Sequence, residues 1–495
     1  MTSIGSHASN TKKRRAIDRS QYSKVSSEQH GTTMGALELL DSPHDIVTVT
    51  SDSSTVQAIT DNGDYSCHYA DPFGIEVDEQ PSEISRKRTM GTASTWGVAI
   101  NLSKCICGAG SFALPHVFLE QGVLGGTLCM TLCGYLAVLT MQHLMEAKLA
   151  VPQDVTSYVQ LADAVLGKRA SQLVFVLTLT ASLGVCSTYV VFIGQTFESL
   201  SNDESSQNYV RLVLPDVSCV DFEIGTAAIL FPLSCVSDYS IFAFTSALGV
   251  VCVIGGMVVT LASGLWVDPG WDRALDGLRQ VDLWPQSLTK AFGDSFGTIA
   301  YLFCINFLTF PIMNSMKEPE RYGTAVEGAV LGVWVMNVAF AILCLGFYGT
   351  ETQDLVLTNL NNGPYLSALK LFLCVDLLFT FPIVFSSGRQ ILEHAWIGLH
   401  PGKTEICMTE RSSLVAVAVS ICLALAQIGG FGAVANLVGG VAQGTLAFVL
   451  PPAIVLTMAR RKNRVADHAV ANWFIGLFGM LVVTAVTYNT VSEMY

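Results

Sequence analysis

The chain has 495 residues, 51% hydrophobic and only 14% charged, with a formal net charge of −13. Soluble domains carry roughly 25% charged residues, so the composition excludes an ordinary soluble enzyme and points to an all-α, multi-spanning membrane protein. The acidic balance excludes nucleic acid as a partner, and the fourteen cysteines show no paired metal-ligand spacing, so neither a metal nor another cofactor is expected. No structural disulfide is expected either, because Cys219 stands alone in a predicted outer loop.

Residues 1–90 form a polar tail of mixed charge, rich in Ser, Thr and Asp. Such a segment cannot bury enough apolar surface to fold and is expected to be a disordered cytosolic tail. It lacks the apolar core of a signal peptide, so it does not read as a cleaved leader. Residues 91–495 are the membrane domain.

Eleven apolar segments follow, near 94–119, 122–147, 170–198, 222–237, 240–266, 291–315, 324–348, 364–388, 412–428, 432–458 and 469–491. Each is about the length a bilayer core needs. With the tail in the cytosol, the inner loops collect fifteen Lys and Arg residues and the outer loops four. The positive-inside rule then orients the tail inward, and an odd number of crossings puts the C-terminus outside or in a lumen.

Segment 1 contains the stretch on which the reading turns, Asn101 to Pro115. Lys104, Gly108, Gly110 and Pro115 all disfavour a continuous helix in lipid. Non-helical backbone survives at membrane depth only where it is buried in protein or lines a cavity. A break here would expose the amides of Gly108, Ala109 and Gly110 at the positive end of a half-helix, and those groups bind a carboxylate. Two other readings fit the same letters. A dinucleotide fingerprint would need a preceding strand and a later acidic residue, which are missing. A small-residue helix contact would leave Lys104 unexplained.

Segment 6 repeats the anomaly. Phe303, Cys304, Ile305 and Asn306 lie mid-segment with Pro311 shortly after. A proline-kinked packing helix is the plainer alternative for this segment taken alone. Two interrupted segments, five apart, point instead to a five-plus-five inverted-repeat transporter with broken first and sixth helices and a site near the midplane. Carbonyl oxygens at Phe303, Cys304 and Asn306 would take the substrate ammonium. Tyr189 and Phe303 are candidates for gates or pocket walls, or for plain packing.

Lys104 lies about 14 Å beyond the inner end of its helix, at the usual rise per residue. A lysine stem does not reach that far, so the charge needs a partner in the membrane. Asp376 in segment 8 stands near the midplane, with Thr380 one turn further on the same face. A lysine facing a watery vestibule without a role is the alternative.

Several motifs recur in a fixed order. They run from Gly108-Ala-Gly-Ser-Phe-Ala-Leu-Pro115, through Ser157-Tyr158-x-x-Leu161-Ala162 and Gly184-Val-Cys-Ser-x-Tyr189, to Pro232-Leu233 with Asp238. They continue with Met316-Lys317-x-Pro319, Thr380-Phe381-Pro382 and Leu450-Pro451-Pro452. In order and spacing the chain resembles the amino acid/auxin permease family of the amino acid–polyamine–organocation superfamily. That resemblance implies eleven spans, the broken-helix fold and coupled amino acid transport. In the sodium-coupled branch the position of Lys104 is usually Asn, a sodium ligand. The lysine is similar to the proton-coupled and vacuolar branches; the animal proton-coupled branch tends to have His one turn before it, where this chain has Asn101, and the family often has Gly at the sixth-helix break, where this chain has Ile305.

The expectation is a secondary active transporter of neutral amino acids, proton-coupled and sodium-independent, in a vacuolar, lysosomal or plasma membrane. Gly108, Ala109, Gly110, Phe303, Cys304, Asn306 and Tyr189 would bind substrate, and Lys104, Asp376, Thr380 and Asn101 would couple the ion. An amino-acid sensor that barely transports, and a sodium-independent facilitator or exchanger, stay open as alternatives.

Overall fold

A computed structural model describes residues 93–152, 155–202, 209–214, 217–236, 240–266, 270–287, 291–360, 364–399, 406–462 and 469–494. The expected tail over residues 1–90 and Asp238 lie outside the described residues. Among those described, helices dominate and the only β-pairing is an isolated bridge between Ala93 and Met316.

Segment 1 is broken. Ser94 caps its first helix, Thr95–Ile106, by accepting a hydrogen bond from Gly97 N–H at 3.1 Å. A 3-10 turn at Ala109–Ala113 leads into a second helix, Leu114–Gln121, bent by 46° from the first. Pro115 sits in the first turn of that helix, where its missing N–H costs nothing. Gly122 then adopts φ 73°, and a Cβ there would lie 2.6 Å from the Leu283 carbonyl carbon, so only glycine turns this corner.

Segment 2 is Val123–Leu149 and segment 3 is Lys168–Ser201. The inner loop between them folds into a short helix, Tyr158–Leu166, started by a capping box of Ser157 and Gln160. Tyr158 donates to Leu446 O at 2.9 Å and stacks on Phe310, docking this helix on segments 6 and 10. Segments 4 and 5 are Cys219–Cys235 and Ser240–Trp266. Cys219 thus opens a helix rather than sitting in a loop. A further helix, Gly270–Gln280, leaves segment 5 at 101° and exposes Trp271 and Leu275.

Segment 6 consists of Phe296–Phe303 and Thr309–Ser315, separated by Cys304 to Leu308. Segments 7, 8 and 9 are Tyr322–Tyr348, Pro364–Leu399 and Met408–Ala426. Segment 10 runs from Phe431 to Arg461 through two π-helical stretches, and segment 11 is Ala469–Met494. Among the described residues eight helices are long and apolar enough to cross a bilayer, and counting each of the two bent pairs as one span makes ten. The expected count of eleven rests on segment 4, whose 17 residues are at the short limit of about 17–25 for a spanning helix.

Burial is graded from the middle outward. Segments 6 and 3 have 83% and 72% of their apolar windows buried, against 28% for segment 11. Leu124, Leu128, Leu132 and Tyr135 form an exposed stripe at helical spacing along segment 2, as do Trp473, Leu477 and Leu481 along segment 11. Such stripes face lipid rather than a core. Segment 8 packs on segments 3, 4 and 5, while segment 1 packs on segment 7. Segment 8 continues well past its expected end at residue 388, so Arg389, one of the fifteen cations counted in the inner loops, is buried and donates to Ser234 O and Val236 O at 2.9 Å each.

The end of the bundle holding Lys148, Lys317 and Arg460 is termed the basic face. The opposite end, with Glu120, Glu198 and Asp354, is termed the acidic face.

Candidate functional site

The break in segment 1 leaves main-chain donors unused. Cys107 N–H bonds back to Ser103 O at 2.7 Å, and Gly108 then turns extended at φ −128°, ψ −155°. The next backbone bond is Ser111 N–H to Gly108 O at 3.1 Å. Among the described residues the amides of Gly108, Ala109 and Gly110 make no hydrogen bond. They stand at the positive end of the run that leads into Leu114–Gln121, where an anion is favoured.

The two glycines serve different ends. A Cβ on Gly110 would lie 3.1 Å from the Tyr301 ring and 3.3 Å from Leu302, so Gly110 permits close packing of segments 1 and 6. A Cβ on Gly108 would meet nothing within 4 Å. Its extended backbone suits any residue, so the fold itself does not demand glycine there. What the glycine does is leave open space beside the free amides.

Tyr301, which the sequence did not single out, lies against Gly110. Its hydroxyl lies 2.7 Å from Thr188 Oγ1 of segment 3, and its ring meets Phe431 edge-on at 6.2 Å. Phe192 packs on Phe431 at 6.1 Å and on Phe112 at 6.3 Å. These four rings are buried and their contacts join segments 1, 3, 6 and 10 in one layer. Toward the basic face, Asn101 and Cys105 are exposed while Lys104 and Gly108 are half-buried.

At the break in segment 6 the side chains turn elsewhere. Phe303 is fully buried and packs against Gly134 of segment 2. That is the plain packing role left open for it above, and the ring that lies against Gly110 of segment 1 is Tyr301. The Cys304 thiol hydrogen-bonds Cys133, and Asn306 Nδ2 donates to Thr140 Oγ1 at 3.0 Å, both on segment 2. The break still leaves acceptors. Cys304 N–H takes Ala300 O at 2.8 Å and Ile305 N–H takes Phe303 O at 2.9 Å, so the carbonyls of Tyr301, Leu302 and Cys304 accept no backbone bond among the described residues.

Lys104 and Asp376 act on each other electrostatically across segments 1 and 8. Asp376 is 8% exposed, hydrogen-bonds to Thr380, and keeps Oδ1 without a hydrogen-bond partner. Its carboxylate lies so close to Gly249 of segment 5 that any Cβ there would overlap it. Tyr189 is half-buried among Tyr301, Cys105 and Asp376. A second membrane-embedded lysine, Lys370 of segment 8, is fully buried and donates to Ser199 Oγ of segment 3 at 3.1 Å. The sequence carried the signal for it, a cation inside an apolar run.

Among the described residues no group of His, Cys, Asp and Glu could hold a metal ion. The two breaks offer main-chain donors and main-chain acceptors, with a half-buried lysine and a buried aspartate on segments 1 and 8.

Comparison with known proteins agrees in class. Residues 91–492 match the family model described as transmembrane amino acid transporter protein. The chain is similar to Amino acid transporter ANT1 of Arabidopsis thaliana, 25% identical, with 84% of this chain and 95% of that protein aligned. It is similar to Amino acid transporter AVT3B of the same plant, 25% identical over 80% of this chain and 92% of that protein. Sodium-coupled neutral amino acid transporter 7 of Danio rerio is 22% identical over 75% of this chain and 80% of that protein. A match over the whole membrane domain settles the family: the chain belongs to the transmembrane amino acid transporters, which are carriers in the membrane and not enzymes.

Proposed function

We propose that the protein is a secondary active transporter of neutral amino acids that works by alternating access, with a proton and not sodium as the coupling ion. The carrying observation is the open space beside Gly108, bordered by three amides without hydrogen bonds. A substrate carboxylate would take those amides, and its ammonium would take the free carbonyls of the segment 6 break. The ring layer of Phe112, Phe192, Tyr301 and Phe431 shuts the acidic face from this space, while Asn101 and Cys105 are exposed toward the basic face. This is the arrangement of a carrier open to the basic side. We read that side as cytosolic, with segments 1–5 and 6–10 as inverted repeats in a vacuolar, lysosomal or plasma membrane.

Ion choice follows from Lys104. A fixed ammonium beside Asp376 can bridge segments 1 and 8 as a bound cation would, and a midplane group exposed alternately to two sides can carry a proton. The name of the zebrafish relative favours a second reading, sodium coupling. Uptake into proteoliposomes separates the two. With a proton as the driving ion, replacing sodium by choline leaves uptake unchanged and a protonophore abolishes accumulation against a gradient. Sodium-driven accumulation would overturn proton coupling, and uptake insensitive to both would leave an exchanger or facilitator. A sensor would bind substrate without accumulating it.

A further inference from the structure

The helix Gly270–Gln280 belongs to neither break. It turns off segment 5 at 101°, so it lies across the end of the bundle rather than along it. Backbone contact fixes it beside the end of segment 7: a Cβ on Gly277 would overlap the Gly346 carbonyl, and Gly346 faces Ala274 in return. The chain that follows is tied to the start of segment 2. There Val123 N–H donates to Asp282 O at 3.1 Å, and Leu124 N–H donates to Leu283 O at 3.0 Å. The helix and residues 281–284 thus run along the rim of the acidic face, where segments 5 and 7 end and segment 2 begins.

This helix has three sides of different chemistry. At 3.6 residues per turn, Ala274 and Gly277 share the side against segment 7. Trp271 and Leu275 share the next side and are 62% and 57% exposed despite being apolar. Asp272, Asp276 and Arg279 share the third, where Arg279 pairs with Asp276 at 3.1 Å. A helix resting on protein in water needs only two sides, one packed and one polar. The exposed apolar side calls for an apolar neighbour outside the bundle. It is also continuous with surfaces that face lipid. Trp266 just before the helix and Leu283 and Trp284 just after it are exposed. Exposed stripes lead to them along segment 5, through Val258 and Leu265, and along segment 2, through Leu128 and Leu124.

We propose that Gly270–Gln280 is an interfacial helix seated in the acidic-face leaflet of the bilayer, with Trp271 and Leu275 against lipid acyl chains and Asp272, Asp276 and Arg279 in water. Tryptophan suits that level because its ring packs on acyl chains while its N–H meets the headgroups. Asp272 and Asp276 balance Arg273 and Arg279, so the seat depends on the apolar side and not on anionic headgroups.

The test uses the full-length chain in phosphatidylcholine nanodiscs, with the photo-crosslinker p-benzoylphenylalanine replacing Trp271, Leu275, Asp272 or Asp276 in turn, and Leu128 as the lipid-facing reference. After irradiation, intact-mass spectrometry should find lipid adducts at 271, 275 and 128, several-fold above those at 272 and 276. Adding phosphatidylglycerol should leave this pattern unchanged. Adducts with a second copy of the chain at 271 and 275 overturn the proposal, as does equal lipid labelling of all four helix positions. Labelling that appears only with phosphatidylglycerol overturns the apolar seat. Depth is read separately, from the tryptophan emission that Trp271→Phe removes. Lipids brominated near the headgroup should quench that component more than lipids brominated near the acyl terminus. The reverse order, or no quenching by either, overturns the interfacial placement.

Discussion

At the break of segment 1, three amides without hydrogen bonds border open space. At the break of segment 6, the neighbouring side chains are committed to segment 2: Phe303 to Gly134, Cys304 to Cys133, Asn306 to Thr140. Both interruptions arise from residues that disfavour helix in lipid, yet only the first leaves donors and room together. The difference separates two jobs. In the proposed carrier segment 1 would supply recognition through its main chain, while segment 6 would supply carbonyls on a support fastened by side chains. A substitution at the first break should therefore alter affinity, and one at the second should alter stability.

The largest expected effect lies beside the first break, at the charge couple that steadies it. Asp376 is buried and Lys104 half-buried, so Lys104→Met and Asp376→Leu should each lower the unfolding midpoint, by less than the ~3–5 kcal/mol typical of breaking a fully buried pair. The double variant should be more stable than either single one. Strictly additive losses in this cycle would show that the two groups do not interact. Next comes Gly249→Ala, which forces a methyl group into the Asp376 carboxylate. Overpacking of this kind costs about 1–3 kcal/mol, and the cost should shrink in an Asp376→Ala background. An equal loss in both backgrounds would remove Asp376 as its cause.

The smallest effects sharpen the contrast between the breaks. Asn306→Ala removes a buried hydrogen bond to segment 2 and should cost about 1 kcal/mol of stability with amino acid affinity unchanged. A tenfold loss of affinity would place Asn306 in the substrate site after all. Tyr301→Phe deletes the bond to Thr188 while keeping the ring on Gly110, with a similar cost in stability. In the proposed carrier the ring layer would close the acidic side, so this variant should also let a membrane-impermeant thiol reagent reach Cys107 from that side more readily than in the wild type. Unchanged labelling would take Tyr301 out of the closure.

The sequence made the class and the first break legible for physical reasons. A lysine, two glycines and a proline inside one apolar run conflict with a continuous helix, and the conflict survives without any coordinates. Side-chain direction at the second break is less accessible. Which of Tyr301 and Phe303 faces segment 1 depends on where the helix stops, and two residues are enough to turn a side chain from one neighbour to another. Element limits also misled. Segment 8 runs on to Leu399, which turns Arg389 from a loop cation into a buried clamp on the end of segment 4. The helix Gly270–Gln280 was readable as an amphipathic pattern, with Trp271, Leu275 and Leu278 spaced along one side, but its polar residues resemble a loop.

The central claim is that open space at Gly108 is kept for the substrate carboxylate, and Gly108→Ala tests it most directly. The extended backbone admits alanine, and its methyl group meets no protein atom within 4 Å, so thermal stability should match the wild type. Amino acid binding at that site should nevertheless fall by an order of magnitude or more, since the methyl group fills space that a bound carboxylate would use. Stability and affinity measured on the same purified sample decide the matter. Unchanged stability with lost binding supports the account; unchanged stability with unchanged affinity contradicts it.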